Sequence, residues 1–149
     1  MITVRKAFKP NPDPGRVRKD LPGLEKAILC VQEVQRYRAQ DPVLLEVSHL
    51  SSFADYFIVC SGRSSRQVQS IAENLEMILE GHGIRPLGVE GRQEGHWVLM
   101  DYGDVIVHVF YEPVRRFYDL ESLWSEARRI RTDTDPGSDA AESVLFDPT

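Results

Sequence analysis

A nearly continuous apolar segment, Tyr56 to Cys60, constrains the fold of this chain more than any other feature. Asp55 precedes the segment and Ser61-Gly62 follows it, which gives it the boundaries of a strand. Because consecutive residues of the segment are apolar, both faces of the strand must be covered by other elements. The segment therefore predicts a layered domain built around a sheet.

Helices and strands alternate along the rest of the chain. Apolar residues recur at helical spacing in three segments, whereas the strands are short and are bounded by turn residues. The predicted helices cover residues 21–40, 64–81 and 120–131, and the predicted strands cover residues 43–47, 56–60, 86–89, 97–102 and 105–111. This order predicts an α/β or α+β domain, with three helices on a single mixed sheet of about five strands.

Capping and stop residues suggest where these elements begin and end. Asp20 is the expected N-cap of the first helix, and Ser64 or Ser65 is that of the second. Glu112-Pro113 is expected to end the last hairpin. Positive side chains suited to a helix C-terminus are expected at the end of the third helix: Arg128, Arg129 and Arg131.

The two ends of the chain differ in charge from its middle. Residues 1–20 contain six basic and two acidic residues among several prolines, and they predict a flexible basic arm. Residues 132–149 contain five acidic residues and no basic one, and they predict a disordered acidic tail. The domain itself is then residues 21–131. Both ends fit solubilising sequence; attraction between arm and tail, or a phosphate contact by the arm, is the alternative.

Net charge and cysteine content argue against several classes of protein. With 18 Lys+Arg against 23 Asp+Glu, the formal net charge is −5, which argues against general binding to nucleic acid. No apolar segment approaches the roughly 20 residues of a membrane helix, and no apolar segment of a secretory signal follows the basic N-terminal residues. Cys30 and Cys60 form neither a disulfide framework nor a metal cluster. We expect a reduced, cytoplasmic protein.

Residues suited to catalysis or metal binding are scattered along the chain. The four histidines contain no i, i+4 pair on one helix, so we predict no metal site and no cofactor. Asp101 and Asp104 lie three residues apart across a turn, whereas a magnesium clamp needs two carboxylates on one face of a strand. His108 fits a core or partner-face histidine better than a ligand. We therefore predict no catalytic residue.

The loop between the buried strand and the second helix offers a weak anion site. Gly62, Ser64 and Ser65 would present backbone N–H groups at the start of a helix, with Arg66 adding positive charge. The loop lacks the glycine pattern of a phosphate-binding motif. Simple capping of the helix by a serine is the alternative.

The hairpin of residues 97–111 combines aromatic and acidic side chains. Both of its faces are apolar, but three helices are too few to cover both faces of a five-stranded sheet. Aromatic residues beside acids on an open sheet are typical of a protein–protein contact. The candidate contact residues are Trp97, Leu99, Asp101, Tyr102 and Asp104. The alternative is that Trp97 belongs to the ordinary core.

Several blocks of this sequence resemble the ribosomal silencing factor (Iojap-related) family. The resemblance spans residues 22–125, and its blocks occur in order and at compact spacing. They are Asp55 to Gly62, Ser64 to Val68, Leu87 to Gly91, Trp97, Asp101 to Phe110, and Arg116 to Trp124.

The resemblance implies a fold similar to nucleotidyltransferases, without their catalysis. Members bind large-subunit ribosomal protein fourteen, block joining of the ribosomal subunits when nutrients are scarce, and often form homodimers. Carried over to this sequence, the partner surface falls on the hairpin residues Trp97, Leu99, Asp101, Tyr102 and Asp104. A nucleotide-binding protein or vestigial nucleotidyltransferase is the alternative, although strand 105–109 lacks the pair of acids that such an enzyme uses.

Overall fold

The computed structural model describes residues 23–132 and 144–147. The helices among these residues are α1 (Leu24–Arg36), α2 (Ser65–Gly81), α3 (Glu112–Tyr118) and α4 (Leu120–Leu123). The strands are β1 (Gln40–Glu46), β2 (Tyr56–Gly62), β3 (Gly88–Glu90), β4 (Trp97–Asp101), β5 (Val105–Tyr111), β6 (Arg128–Thr132) and β7 (Val144–Asp147).

The strands described here form one mixed sheet in the order β3-β4-β5-β2-β1-β6-β7. Strands β2 and β5 pair in parallel, and the other pairings are antiparallel. All seven residues of β2 are buried, which confirms the prediction of a strand covered on both faces. The single mixed sheet confirms the predicted α+β class. The likeness to nucleotidyltransferases stays a prediction.

Helices α1 and α2 cover one face of the sheet, which we call the helix-covered face. Alternate residues of β2 and β5 point to this face, as the pleat requires. In β2 and β5 they are Tyr56, Ile58, Cys60, Val105, Val107 and Val109. They pack against buried residues of the two helices: Ala27, Val31, Val34, Val68, Ile71, Leu75 and Leu79. Burial raises the pKa of Cys30 and Cys60 to about 12, so both remain thiols that pack as small apolar groups.

The opposite face, which we call the aromatic face, has a different composition. Its residues on β2, β4 and β5 include Phe57, Val59, Trp97, Leu99, Ile106, His108 and Phe110. The segment 112–127 returns across part of this face, where Leu120 packs on Val59 and Phe110 and where Trp124 meets Phe57 edge-on. The helices of this segment are shorter than α1 and α2. Aromatic side chains near its edge remain exposed.

The C-terminal part of the domain departs from the sequence prediction. Pro113 does not merely end the hairpin but occupies the first turn of α3, where its missing N–H is not needed. Arg128, Arg129 and Arg131 lie in β6 and not at the end of a helix, because β6 pairs with β1 and buries Ile130 between exposed arginines. The sheet consequently has more strands than the five that were expected.

The ends of the chain are only partly within the described residues. Helix α1 begins after Gly23, and the predicted cap Asp20 lies outside the described residues, as does the arm 1–20. Strand β7 pairs with β6 inside the segment that the sequence predicts to be a disordered tail. The rest of that segment past Thr132 lies outside the described residues, so the domain boundaries stay a prediction.

Two kinds of feature are absent from the described residues. None of the helices in this part of the chain has both the length and the apolar character needed to cross a membrane. Nor do residues 23–132 and 144–147 bring together three His, Cys, Asp or Glu side chains that could hold a metal ion.

Candidate protein-binding surface

Asp101 shapes the turn between β4 and β5. Its Oδ1 accepts a hydrogen bond from the Gly103 N–H at 2.8 Å, and the Tyr102 N–H donates to the Val105 carbonyl at 2.8 Å. Only 5% of Asp101 is exposed. A carboxylate held in this way fixes the hairpin turn and has little surface left for a partner.

Leu99 and Tyr102 are buried on opposite sides of the sheet. Leu99 packs on the aromatic face with Phe57 and Ile106. Tyr102 packs in the core of the helix-covered face, where burial raises the pKa of its phenol. The expectation that these side chains form part of an open surface is therefore corrected: helices and the segment 112–127 cover more of the hairpin than the sequence suggests.

Asp104 faces the start of α1. Lys26 Nζ lies 2.8 Å from Asp104 Oδ1 and also donates to the Tyr102 carbonyl at 3.1 Å. A Cβ at Gly23 would lie 2.7 Å from Asp104 Oδ2, so a larger residue at this position would require the carboxylate to shift. The Asp104 side chain keeps 28% of its surface exposed, which makes it the accessible acid of the turn.

Trp97 lies at the edge of the aromatic face and is partly exposed. Its Nε1–H donates to His108 Nδ1 at 3.1 Å. The indole packs against Phe110 on one neighbouring strand and against Tyr118 of α3, with ring centroids 4.7 and 4.8 Å away. The Trp97 ring is therefore fixed by several contacts while part of its surface remains available.

Aromatic exposure continues from Trp97 onto α3, and the sequence analysis missed it. Phe117 and Tyr118 are 81% and 51% exposed, and their rings meet edge-on with centroids 5.2 Å apart. Leu123 of α4 is exposed as well. We call Trp97, Phe117 and Tyr118 the aromatic patch. The adjacent pair Phe117-Tyr118 in a charged segment is the available signal, but the sequence prediction ends the hairpin at Glu112-Pro113 and assigns no surface role to this pair.

Arg115 anchors α3 and α4 to the sheet. Its guanidinium makes a bidentate ion pair with Glu121, at 2.9 and 3.1 Å. It also donates to Ser61 Oγ at 3.0 Å and to the carbonyl oxygens of Gln40 and Asp41. One buried side chain thus joins α3 and α4 to the ends of β1 and β2, and it fixes the base on which the aromatic patch stands.

The loop at the start of α2 uses its polar groups within the chain. Ser64 Oγ accepts from the Gln67 N–H at 3.1 Å, and Gln67 Oε1 accepts from the Arg63 N–H at 2.6 Å. A Cβ at Gly62 would lie 3.1 Å from the Val68 side chain, so this glycine serves close packing. Ser65 begins the helix and Arg66 is exposed. Ser64 therefore caps α2, and Gln67 reaches back to the N–H of the residue before the cap. Capping is thus present, and an anion site at this loop stays a prediction.

An open groove of about 610 Å³ lies beside Arg115. The residues that line it include Ser61, Arg115, Arg116 and Arg129. Each of these arginines pairs with a carboxylate: Arg115 and Arg129 with Glu121, and Arg116 with Glu112. The acidic residues of the lining match its arginines, so the groove has no excess of positive charge to attract a phosphate group.

Comparisons with known proteins agree with the blocks seen in the sequence. The family model described as ribosomal silencing factor during starvation matches residues 21–145. The chain belongs to the ribosomal silencing factor family. The resemblance predicted from the sequence is therefore confirmed.

Individual family members match most of the domain. A ribosomal silencing factor from Halalkalibacterium halodurans is 40% identical over 68% of this chain and 87% of its own length. One from Bacillus subtilis is 44% identical over 60% of this chain and 76% of its own length. The crystal structure of a Chromobacterium violaceum protein superimposes with a TM-score of 0.68 at 32% identity, covering 83% of this chain and 98% of that one.

Proposed function

We propose that this chain represses translation by binding large-subunit ribosomal protein fourteen and blocking the joining of the small subunit when nutrients are limiting. Membership of the ribosomal silencing factor family supports a ribosome-associated silencing role. The identity of the partner and the steric mechanism are the specific content of the proposal. In this mechanism the chain acts in the cytoplasm by occupying a surface, and it needs neither a reaction nor a cofactor.

The aromatic patch is the observation that carries the proposal. Trp and Tyr are enriched among the residues that dominate binding free energy, especially where their own protein holds them rigid. Trp97 is held by His108, Phe110 and Tyr118 and is still partly exposed. Large exposed aromatic side chains next to a fixed one are typical of an interaction surface.

The five hairpin residues have different roles in this proposal. Trp97 contacts the partner, and Asp104 contributes its accessible carboxylate at the other end of β4. The other three residues are buried and do not touch the partner; they set the shape of the hairpin that carries Trp97. They are Leu99, Asp101 and Tyr102. The main contact surface is thus the aromatic patch, and Asp104 adds a separate acidic contact near the start of α1.

Charge supports a protein partner of this kind. A protein that binds ribosomal RNA is basic, so an acidic chain is attracted to it and is repelled by the RNA phosphates around it. The net charge of −5 has the sign that this arrangement requires. Direct binding to nucleic acid is not part of the proposal.

A homodimer through the same aromatic patch belongs to the proposal as well. If two copies bury this patch against each other, dimerisation and ribosome binding compete for Trp97. Light scattering of the Trp97→Ala chain then shows a shift toward monomer, whereas an unchanged dimer places the dimer contact on another surface.

Sedimentation with ribosomal subunits tests the function. We expect the chain to comigrate with free large subunits, not with small subunits, and to lower the yield of joined ribosomes when both subunits are mixed. Trp97→Ala should abolish both effects. Met77→Ala is the matched control, because Met77 is an exposed apolar residue of α2, on the helix-covered side. Comigration with neither subunit, or equal effects of the two variants, would contradict the proposal.

A further inference from the structure

His108 is a buried polar residue in the middle of an apolar strand. It pairs with Leu99 in the β4–β5 register and lies diagonally from Trp97 on the aromatic face. Only 2% of it is exposed, and the Phe57 and Phe110 rings lie 4.9 and 6.3 Å from its own. An apolar side chain would satisfy these surroundings without the desolvation cost of an imidazole.

One ring nitrogen of His108 has a partner, and the other has none among the described residues. Nδ1 accepts the Trp97 Nε1–H, which requires a neutral ring with its proton on Nε2. Nε2 is buried without a hydrogen-bond partner in this part of the chain. Burial lowers the pKa of His108 to about 3, so the neutral form persists at physiological pH. The imidazole is kept at a cost to stability, and its visible contribution is to accept from Trp97.

The hydrogen bond determines how the indole lies. Phe110 and Tyr118 restrict the Trp97 ring by packing, but contacts between ring faces do not by themselves specify where the indole N–H points. An acceptor fixed on β5 directs the N–H inward and leaves the remainder of the ring facing Tyr118 and the surface. A surface fixed before binding loses less conformational entropy when the partner arrives.

We propose that His108 is a positioning residue, whose Nδ1 holds the Trp97 indole in the orientation that binds the ribosomal partner. The partner contact rests on the proposed function, whereas the orientation of the indole does not. The substitution His108→Phe removes the acceptor and keeps an aromatic ring, and His108→Gln supplies an amide oxygen in its place.

Two readouts on the purified chain test the proposal. The first is the nuclear magnetic resonance signal of the Trp97 indole N–H, assigned with the Trp97→Phe chain. His108→Phe should move this signal toward that of a water-exposed indole, and His108→Gln should restore part of the shift. The second is affinity for purified ribosomal protein fourteen, which we expect His108→Phe to weaken about fivefold, the value of one ordinary hydrogen bond. In the Trp97→Phe background the same substitution should have no further effect.

The outcomes that overturn the proposal are distinct from failure of the proposed function. An unmoved indole signal in His108→Phe, or an equal loss of affinity with and without the Trp97 indole, refutes the positioning role. If the unaltered chain does not bind protein fourteen, the proposed function fails, and the indole signal still decides the orientation. Should His108→Phe not fold, nitrogen-15 shifts of histidine in the unaltered chain decide: a proton on Nδ1 of His108 overturns the proposal, and a proton on Nε2 supports it.

Discussion

The two faces of the sheet are stabilised in different ways. The helix-covered face packs aliphatic side chains beneath helices of 13 and 17 residues. The aromatic face is covered by helices of 7 and 4 residues, with a buried histidine and a buried arginine beneath or beside them. Helices this short are not stable alone, so α3 and α4 depend on the contacts that hold them to the sheet.

This difference separates stability from recognition. The helix-covered face holds the largest cluster of buried apolar side chains among the described residues, so it supplies most of the hydrophobic stabilisation. On the aromatic face, polar groups are buried and aromatic groups are exposed, and both features reduce stability. Such features are typical of a functional surface. Substitutions on the two faces should therefore affect stability and binding separately.

Leu75→Ala should produce the largest loss of stability. Leu75 is fully buried between α2 and the sheet, and removing a buried leucine costs about 2–5 kcal/mol. Urea denaturation measures the free energy of unfolding. The folded fraction should bind the partner with unaltered affinity. A loss of affinity in the folded chain would show that the two faces are not separable.

Arg115→Met should destabilise the chain less, but should loosen α3 and α4 selectively. Breaking a buried ion pair is costly, and because Glu121 is partly exposed we expect about 2–3 kcal/mol. Limited proteolysis should cut within residues 112–127 before the rest of the domain. Arg116→Met is the control: its pair with Glu112 is exposed and should contribute less than about 1 kcal/mol. Equal effects of the two substitutions on stability and proteolysis would contradict the anchoring role of Arg115.

The free energy of unfolding should depend on pH because His108 is buried in its neutral form. Burial lowers its pKa from 6.5 to about 3, so the unfolded chain binds the proton more readily than the folded chain does. Above about pH 6.5 the neutral His108 therefore does not reduce the free energy of unfolding. As the pH falls from 6.5 toward 3, the free energy of unfolding decreases by at most about 1.4 kcal/mol per pH unit. Urea denaturation at several pH values measures the slope, and His108→Gln should flatten it. An identical slope in both chains would mean that His108 ionises freely in the fold.

The sequence predicted those parts of the fold that depend on local pattern. The apolar segment of β2, the capping of α2 by Ser64 and the β4–β5 hairpin all have local signals, and all are present in the structure. Strand β6 has little local pattern besides Ile130 between arginines, and it forms because β1 offers it a free edge. Strand pairing of this kind cannot be predicted from the sequence of one segment alone.

The candidate site was predicted less completely than the fold. Alternation along β4 indicates that Trp97 and Leu99 share a face, but not that one is partly exposed and the other buried. That difference depends on where the segment 112–127 crosses the sheet, and hence on the long-range contacts of Arg115 with Ser61 and the Gln40 carbonyl. Phe117 and Tyr118 were missed for the same reason: their exposure depends on how α3 is anchored.

The affinity of the Phe117→Ala chain for purified large-subunit ribosomal protein fourteen decides whether the aromatic patch is the recognition surface. Phe117 is 81% exposed and touches the core little, so the substitution should leave the unfolding free energy almost unchanged. We predict at least about tenfold weaker binding, as for a residue that dominates an interface, and an unchanged affinity for Met77→Ala. Equal affinities of the two variants and the unaltered chain would contradict the assignment of recognition to the aromatic patch.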